Sequence, residues 1–123
     1  MESTTASSTV ERLHVGPRLS EVAIYNRTVY LAGQIAEKKG DAYAQTKEVL
    51  GHVDRLLAEA KSDKRHILSA TVYLSNMKFY ADMNRAWDEW VEPGATPPRA
   101  TVEAKLARTE CFVEMQIVAA QAL

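Results

Sequence analysis

The sequence predicts an α+β fold: one mixed β-sheet with two helices on one of its faces. Three observations carry this expectation. Segments 41–60 and 79–90 repeat apolar residues at the helical period, so each presents one apolar stripe. Segments 67–74 and 112–120 alternate apolar and polar residues at the period of a strand. Turn-forming residues separate these segments, giving the order β-β-β-α-β-α-β-β. Two helices with one apolar stripe each are most simply buried on the apolar face of a single sheet.

Residues 1–10 read as a flexible polar N-terminal arm, rich in Ser and Thr, and residues 11–123 as a single domain. Arg12 to Val15 is the first extended stretch, and Gly16-Pro17 interrupts it. Val22 to Tyr25 and Thr28 to Gln34 flank a tight turn at Asn26-Arg27, the pattern of a hairpin. In the first helix Val49, Leu50, Val53, Leu56, Leu57 and Ala60 form the stripe, with Asp41 as N-cap and Ser62-Asp63 at the exit. Gly51 interrupts good helix formers, and a close backbone contact is the expected reason.

The strand 67–74 directs Leu68, Ala70, Val72 and Leu74 to one face and Ser69, Thr71 and Tyr73 to the other. In the second helix Phe79, Met83, Ala86, Trp87 and Trp90 form the buried stripe. Pro93-Gly94 ends it, and Pro97-Pro98 forces an extended approach to a strand at 100–104. In the last strand Val113, Met115, Ile117 and Ala119 share the core face, and Phe112, Glu114, Gln116 and Val118 the other. That second face is too apolar for solvent and too polar for a core. A chain of 123 residues has no third layer to cover it, so self-association is expected, with clefts between subunits as natural pockets.

Fifteen basic and sixteen acidic residues leave a net charge of -1, which disfavours a general binder of nucleic-acid backbones. The single cysteine, Cys111, excludes an intramolecular disulfide and a cysteine-built zinc site. His14, His52 and His66 lack ligand spacing and read as surface or capping residues, so no metal is expected. No apolar run approaches bilayer length, and no signal-peptide core is visible. The expectation is a cytoplasmic protein with no membrane or nucleic-acid partner. No phosphate loop, dinucleotide fingerprint or nucleophile elbow is present, and no cofactor is expected.

Two residues stand out chemically. Arg99 follows two prolines at a strand start and shares a strand face with Thr101 and Glu103. A guanidinium held there suits bidentate capture of a carboxylate, or it pairs with Glu103 or Glu114. Glu114 is an acid between Val113 and Met115 in an apolar strand. It needs a salt-bridge partner, or it positions and deprotonates a water in a dry cleft. Gly33-Gln34 at a strand end marks either exposed backbone facing a ligand or a bulge.

The ordered motifs Gly16-Pro17, Tyr30-Leu31-Ala32-Gly33-Gln34-Ile35, Ala70-Thr71-Val72-Tyr73-Leu74, Met83-Asn84, Pro98-Arg99-Ala100-Thr101-Val102-Glu103 and Val113-Glu114-Met115 resemble the Rid family of YjgF-type proteins, also known as L-PSP endoribonucleases. The resemblance spans about residues 12–120, and the segment Met83 to Trp90 is most similar to the YoaB-like branch. It implies a homotrimer of the bacterial chorismate-mutase type, with sheets packed into a central barrel and three intersubunit clefts. It also implies hydrolytic deamination of reactive enamines and imines to 2-keto acids and ammonia. Arg99 then holds the substrate carboxylate, Glu114 stands near the attacking water as the catalytic residue, and Gly33 lines the cleft. The sequence departs from the archetype at Arg18, where a cleft tyrosine is usual, and at Thr101, where a cysteine is usual. Thr101 removes thiol chemistry, and an inward Arg18 favours a ligand with a second acidic group. The alternative is a non-catalytic trimer that binds a carboxylate ligand through the same Arg99.

Overall fold

A computed structural model describes residues 9–123, so most of the expected N-terminal arm lies outside the described residues. The chain runs β1 (Glu11–Val15), β2 (Ser20–Tyr25), β3 (Thr28–Leu31), β4 (Gln34–Ile35), α1 (Ala42–Glu59), β5 (Ile67–Leu74), α2 (Tyr80–Trp90), β6 (Arg99–Glu103) and β7 (Val113–Ala120). Short 3₁₀ turns at Lys64–His66 and Met77–Phe79 precede β5 and α2. The strands form one mixed sheet in the order β1-β2-β3-β7-β5-β6, with β4 also paired to β7. All pairings are antiparallel except β5 with β6. A parallel pair needs a crossover, and α2 supplies it.

Both helices pack on one face of the sheet, as the periodicity requires. Val72, Leu74, Met115 and Ile117 are fully buried beneath Val49, Val53, Leu56 and Met83. The Asp41 side chain caps α1 by accepting from the Ala44 amide at 2.8 Å, and Lys61 (φ 64°) turns the chain out of the helix. The Trp90 indole donates to Asp54 at 3.0 Å, which links the two helices at their rim.

Three local expectations need correction. The strand 28–34 is broken at Ala32-Gly33. Between the Tyr30–Val118 and Gln34–Met115 pairs, four steps on this side oppose three on β7, which is the signature of a bulge. Leu68 is 50% exposed and Ile67 is buried in its place, because an irregularity between Ile67 and Ser69 shifts the alternation by one. Gly51 makes no close contact: a Cβ there would meet nothing within 4 Å.

Candidate functional site

Glu114 lies on β7 in the middle of the sheet, opposite Ile35 of β4 and Tyr73 of β5. Alternation along β7 buries Val113 and Met115 under the helices and turns Glu114 to the open face. It is half-buried and makes no ion pair among the described residues. The bulge brings the Gly33 backbone directly against it, and a Cβ on Gly33 would overlap the Glu114 carboxylate oxygen Oε2. The glycine and the acid therefore form one unit. Both line an open cleft of about 290 Å³ with Tyr73, Lys105, Leu106 and Gln116, close to the lower size of small-ligand pockets.

Arg99 opens β6, an edge strand of the sheet. The Pro98 carbonyl accepts from the Ala70 amide at 3.0 Å, which fixes how β6 approaches β5. Arg99 is in register with Ala70 and Thr101 with Val72, and paired residues of parallel strands share a face. Arg99 and Thr101 therefore point to the helix side. The Arg99 guanidinium sits 5.1 Å from the Trp87 ring centre, with Nη1 3.8 Å from Met83 Sδ. Neither Glu103 nor Glu114 pairs with it, and Glu103 instead accepts from the Met77 amide at 2.9 Å. A guanidinium steadied by an aromatic ring and lacking a carboxylate keeps its forked donors for another anion. Beside it, Thr101 Oγ1 is shielded from solvent and has no hydrogen-bond partner among the described residues.

Arg99 and Glu114 do not meet within one chain. They point to opposite faces, and they lie three residues along and two strands across from each other. Their Cα atoms are thus roughly 14 Å apart. Arg18 is exposed on the turn between β1 and β2 and does not line the Glu114 cleft. The cation that lines it is Lys105, which the sequence reading missed. Its only sequence signal is its position in the loop joining the Arg99 strand to the Glu114 strand.

The remaining suspects have structural roles. His14, His52 and His66 pair with Glu59, Glu48 and Asp63. Glu37, Glu48 and His52 do bring ligand-type atoms within 4.8 Å of one another. The Glu48 carboxylate there already accepts from the Glu37 and Lys38 amides at 2.7 and 3.1 Å, chiefly the former, which holds it below an ordinary glutamate pKa. Cys111 is buried, and burial pushes its thiol up, away from nucleophilic reactivity.

Residues 9–121 match the sequence profile of the family described as Endoribonuclease L-PSP. The chain belongs to this family. Within the L-PSP family, a RutC family protein of Haemophilus ducreyi is 53% identical over 112 residues, covering 90% of this chain and 96% of that protein. The RutC family protein YoaB of Escherichia coli is 40% identical over 112 residues, covering 91% and 98%. A solved YjgF-family structure from Neisseria meningitidis has a TM-score of 0.93 at 44% identity, covering 94% of this chain and 98% of that one. The mycobacterial family member Rv2704, at 17% identity and a TM-score of 0.83, shares the fold. The L-PSP fold thus accounts for the mixed sheet, the two helices and the order of elements found here.

Proposed function

We propose that this protein is a cofactor-independent hydrolase of reactive 2-imino acids and their enamine tautomers, working in a cleft between copies of the chain in a homotrimer. The observation that carries the reading is the state of two charged groups. The Glu114 carboxylate is lodged against Gly33 at an open cleft, with no cation among the described residues paired to it. The Arg99 guanidinium is held on Trp87, with no carboxylate among the described residues paired to it. A 2-imino acid offers what each lacks: a carboxylate for Arg99 and an electrophilic carbon for a water at Glu114. Because the two point to opposite faces of one sheet, a ligand meets both only if a second copy supplies one of them.

In this reading Arg99 and the free Thr101 hydroxyl bind the substrate carboxylate. Glu114 accepts a proton from water as the water oxygen bonds to the carbon of the protonated imine and the C=N π pair moves to nitrogen, giving a neutral carbinolamine. Glu114 then returns that proton to the amino nitrogen; the hydroxyl O–H pair forms the C=O bond as the C–N bond breaks, its electron pair leaves with ammonia, and the hydroxyl proton passes to solvent. The products are a 2-keto acid and ammonia. Held geometry and one general base are a modest demand, since imines already hydrolyse slowly in water.

The family's descriptive name points to RNA cleavage. A net charge of -1 offers no surplus of cations for a phosphate backbone, and the histidines are each held by a carboxylate.

The test is 2-keto acid formation from imino acids generated in situ by an amino-acid oxidase, with the spontaneous rate subtracted. Wild type should exceed background, and Glu114→Gln should lose about 10²- to 10⁴-fold in kcat. Arg99→Ala should raise KM and lower kcat/KM. Retained ligand binding with no rate in wild type on any imine would instead favour a non-catalytic carboxylate-binding trimer.

A further inference from the structure

We propose that Lys105 is a specificity-determining residue that selects 2-imino acids carrying a second acidic group. The inference rests on the hydrolytic reading of the Glu114 cleft and adds its substrate class. Lys105 lines that cleft and makes no ion pair or hydrogen bond among the described residues. Its backbone is not adrift: the neighbouring Ala104 amide donates to the Leu74 carbonyl at 2.9 Å, which pins the loop to the end of β5. The ammonium is thus tethered near the cleft while its four-carbon stem leaves it free to meet ligands of different length.

The charge pattern argues for an acidic side chain on the ligand. Lys105 and Glu114 face the same space without pairing directly, so the carboxylate stays available to water and the ammonium to a ligand. Arg99 does not line this cleft. It is the group assigned to the carboxylate beside the reacting carbon, so Lys105 is left over once that carboxylate is bound. A second acidic group, reaching away from the C=N carbon, gives Lys105 its counter-charge. A neutral side chain brings the ammonium no counter-charge, and of the acids lining the two clefts that Lys105 borders, Glu103 is engaged by the Met77 amide and Glu114 is the general base. Within one chain Lys105 lines this cleft and Arg18 does not.

The experiment compares imines of alanine and leucine with those of aspartate and glutamate, generated in situ by amino-acid oxidases. Wild type, Lys105→Met and Lys105→Glu are assayed. Wild type should favour the acidic imines in kcat/KM. The acidic-to-neutral ratio should fall by roughly two- to fivefold in Lys105→Met, the scale of a solvent-accessible ion pair, and further in Lys105→Glu. An unchanged ratio in both variants overturns the proposal. Should wild type hydrolyse no imine, the hydrolase reading fails separately, and binding decides for Lys105. Calorimetry with succinate and propionate should then show succinate preferred by wild type, with the preference lost in Lys105→Met. Equal binding of the two acids by wild type overturns the assignment.

Discussion

Gly33 has no side chain because the Glu114 carboxylate stands where one would be. The conflict is with the movable end of a side chain, so Gly33→Ala should fold with a melting temperature within a few degrees of wild type. The methyl would still push the carboxylate aside, and a displacement of about 1 Å at a reacting group costs on the order of 10²-fold in rate. A thermal melt beside the imine assay checks both halves; full activity in Gly33→Ala would break the link between the glycine and the acid. Glu48 gives a pH prediction at the same scale. Its folded pKa lies below the ordinary 4.5, first because of the Glu37 amide and also through Lys38 and His52, against a burial effect that raises it. The stabilisation from its charged form is therefore complete above about pH 4.5 and is lost as pH falls through the lowered folded value. Glu48→Gln should accordingly flatten the acid limb of a stability-against-pH curve; an unchanged limb would remove Glu48 from the account.

At the scale of elements, Gly51 lies in the middle of α1, exposed, with open space where a Cβ would go. Gly51→Ala should stabilise the protein by about 0.4–1 kcal/mol, measured by chemical denaturation. Loss of stability would mean that α1 meets something at that position. The helices and the core faces of β5 and β7 were legible in the sequence because burial on one side imposes a period. Glu114 stood out because a charge in an apolar strand breaks that period, and Arg99 because Pro97-Pro98 fix the strand start it occupies. What was not legible arose where the period slips. A one-residue irregularity at the start of β5 exchanged Leu68 for Ile67, and the bulge at Ala32-Gly33 split one expected strand into two. That bulge also brings Gly33 to Glu114, so the least predictable piece of backbone shapes the cleft. Lys105 was missed because a loop lysine has no periodic context, and its role depends on where β6 and β7 place the loop.

At the scale of the molecule, the face opposite the helices carries Glu114, Gln116, Tyr73, Tyr30 and Val102, the last two 47% and 42% exposed. Aromatic and aliphatic residues interspersed with polar ones suit an interface between copies better than open solvent. The proposal makes that association functional, since Arg99 and Glu114 cannot reach one small ligand from the same chain. The most direct measurement of this claim is imine hydrolysis by a refolded equimolar mixture of Arg99→Ala and Glu114→Ala chains. Each variant alone should stay near the spontaneous rate. In the mixture, a site combining an intact Glu114 from one chain with an intact Arg99 from its neighbour should form at about one position in four, restoring about a quarter of the wild-type rate. Mixed oligomers that form but recover no activity, or either variant alone matching wild type, would contradict a site built from Arg99 of one copy and Glu114 of another.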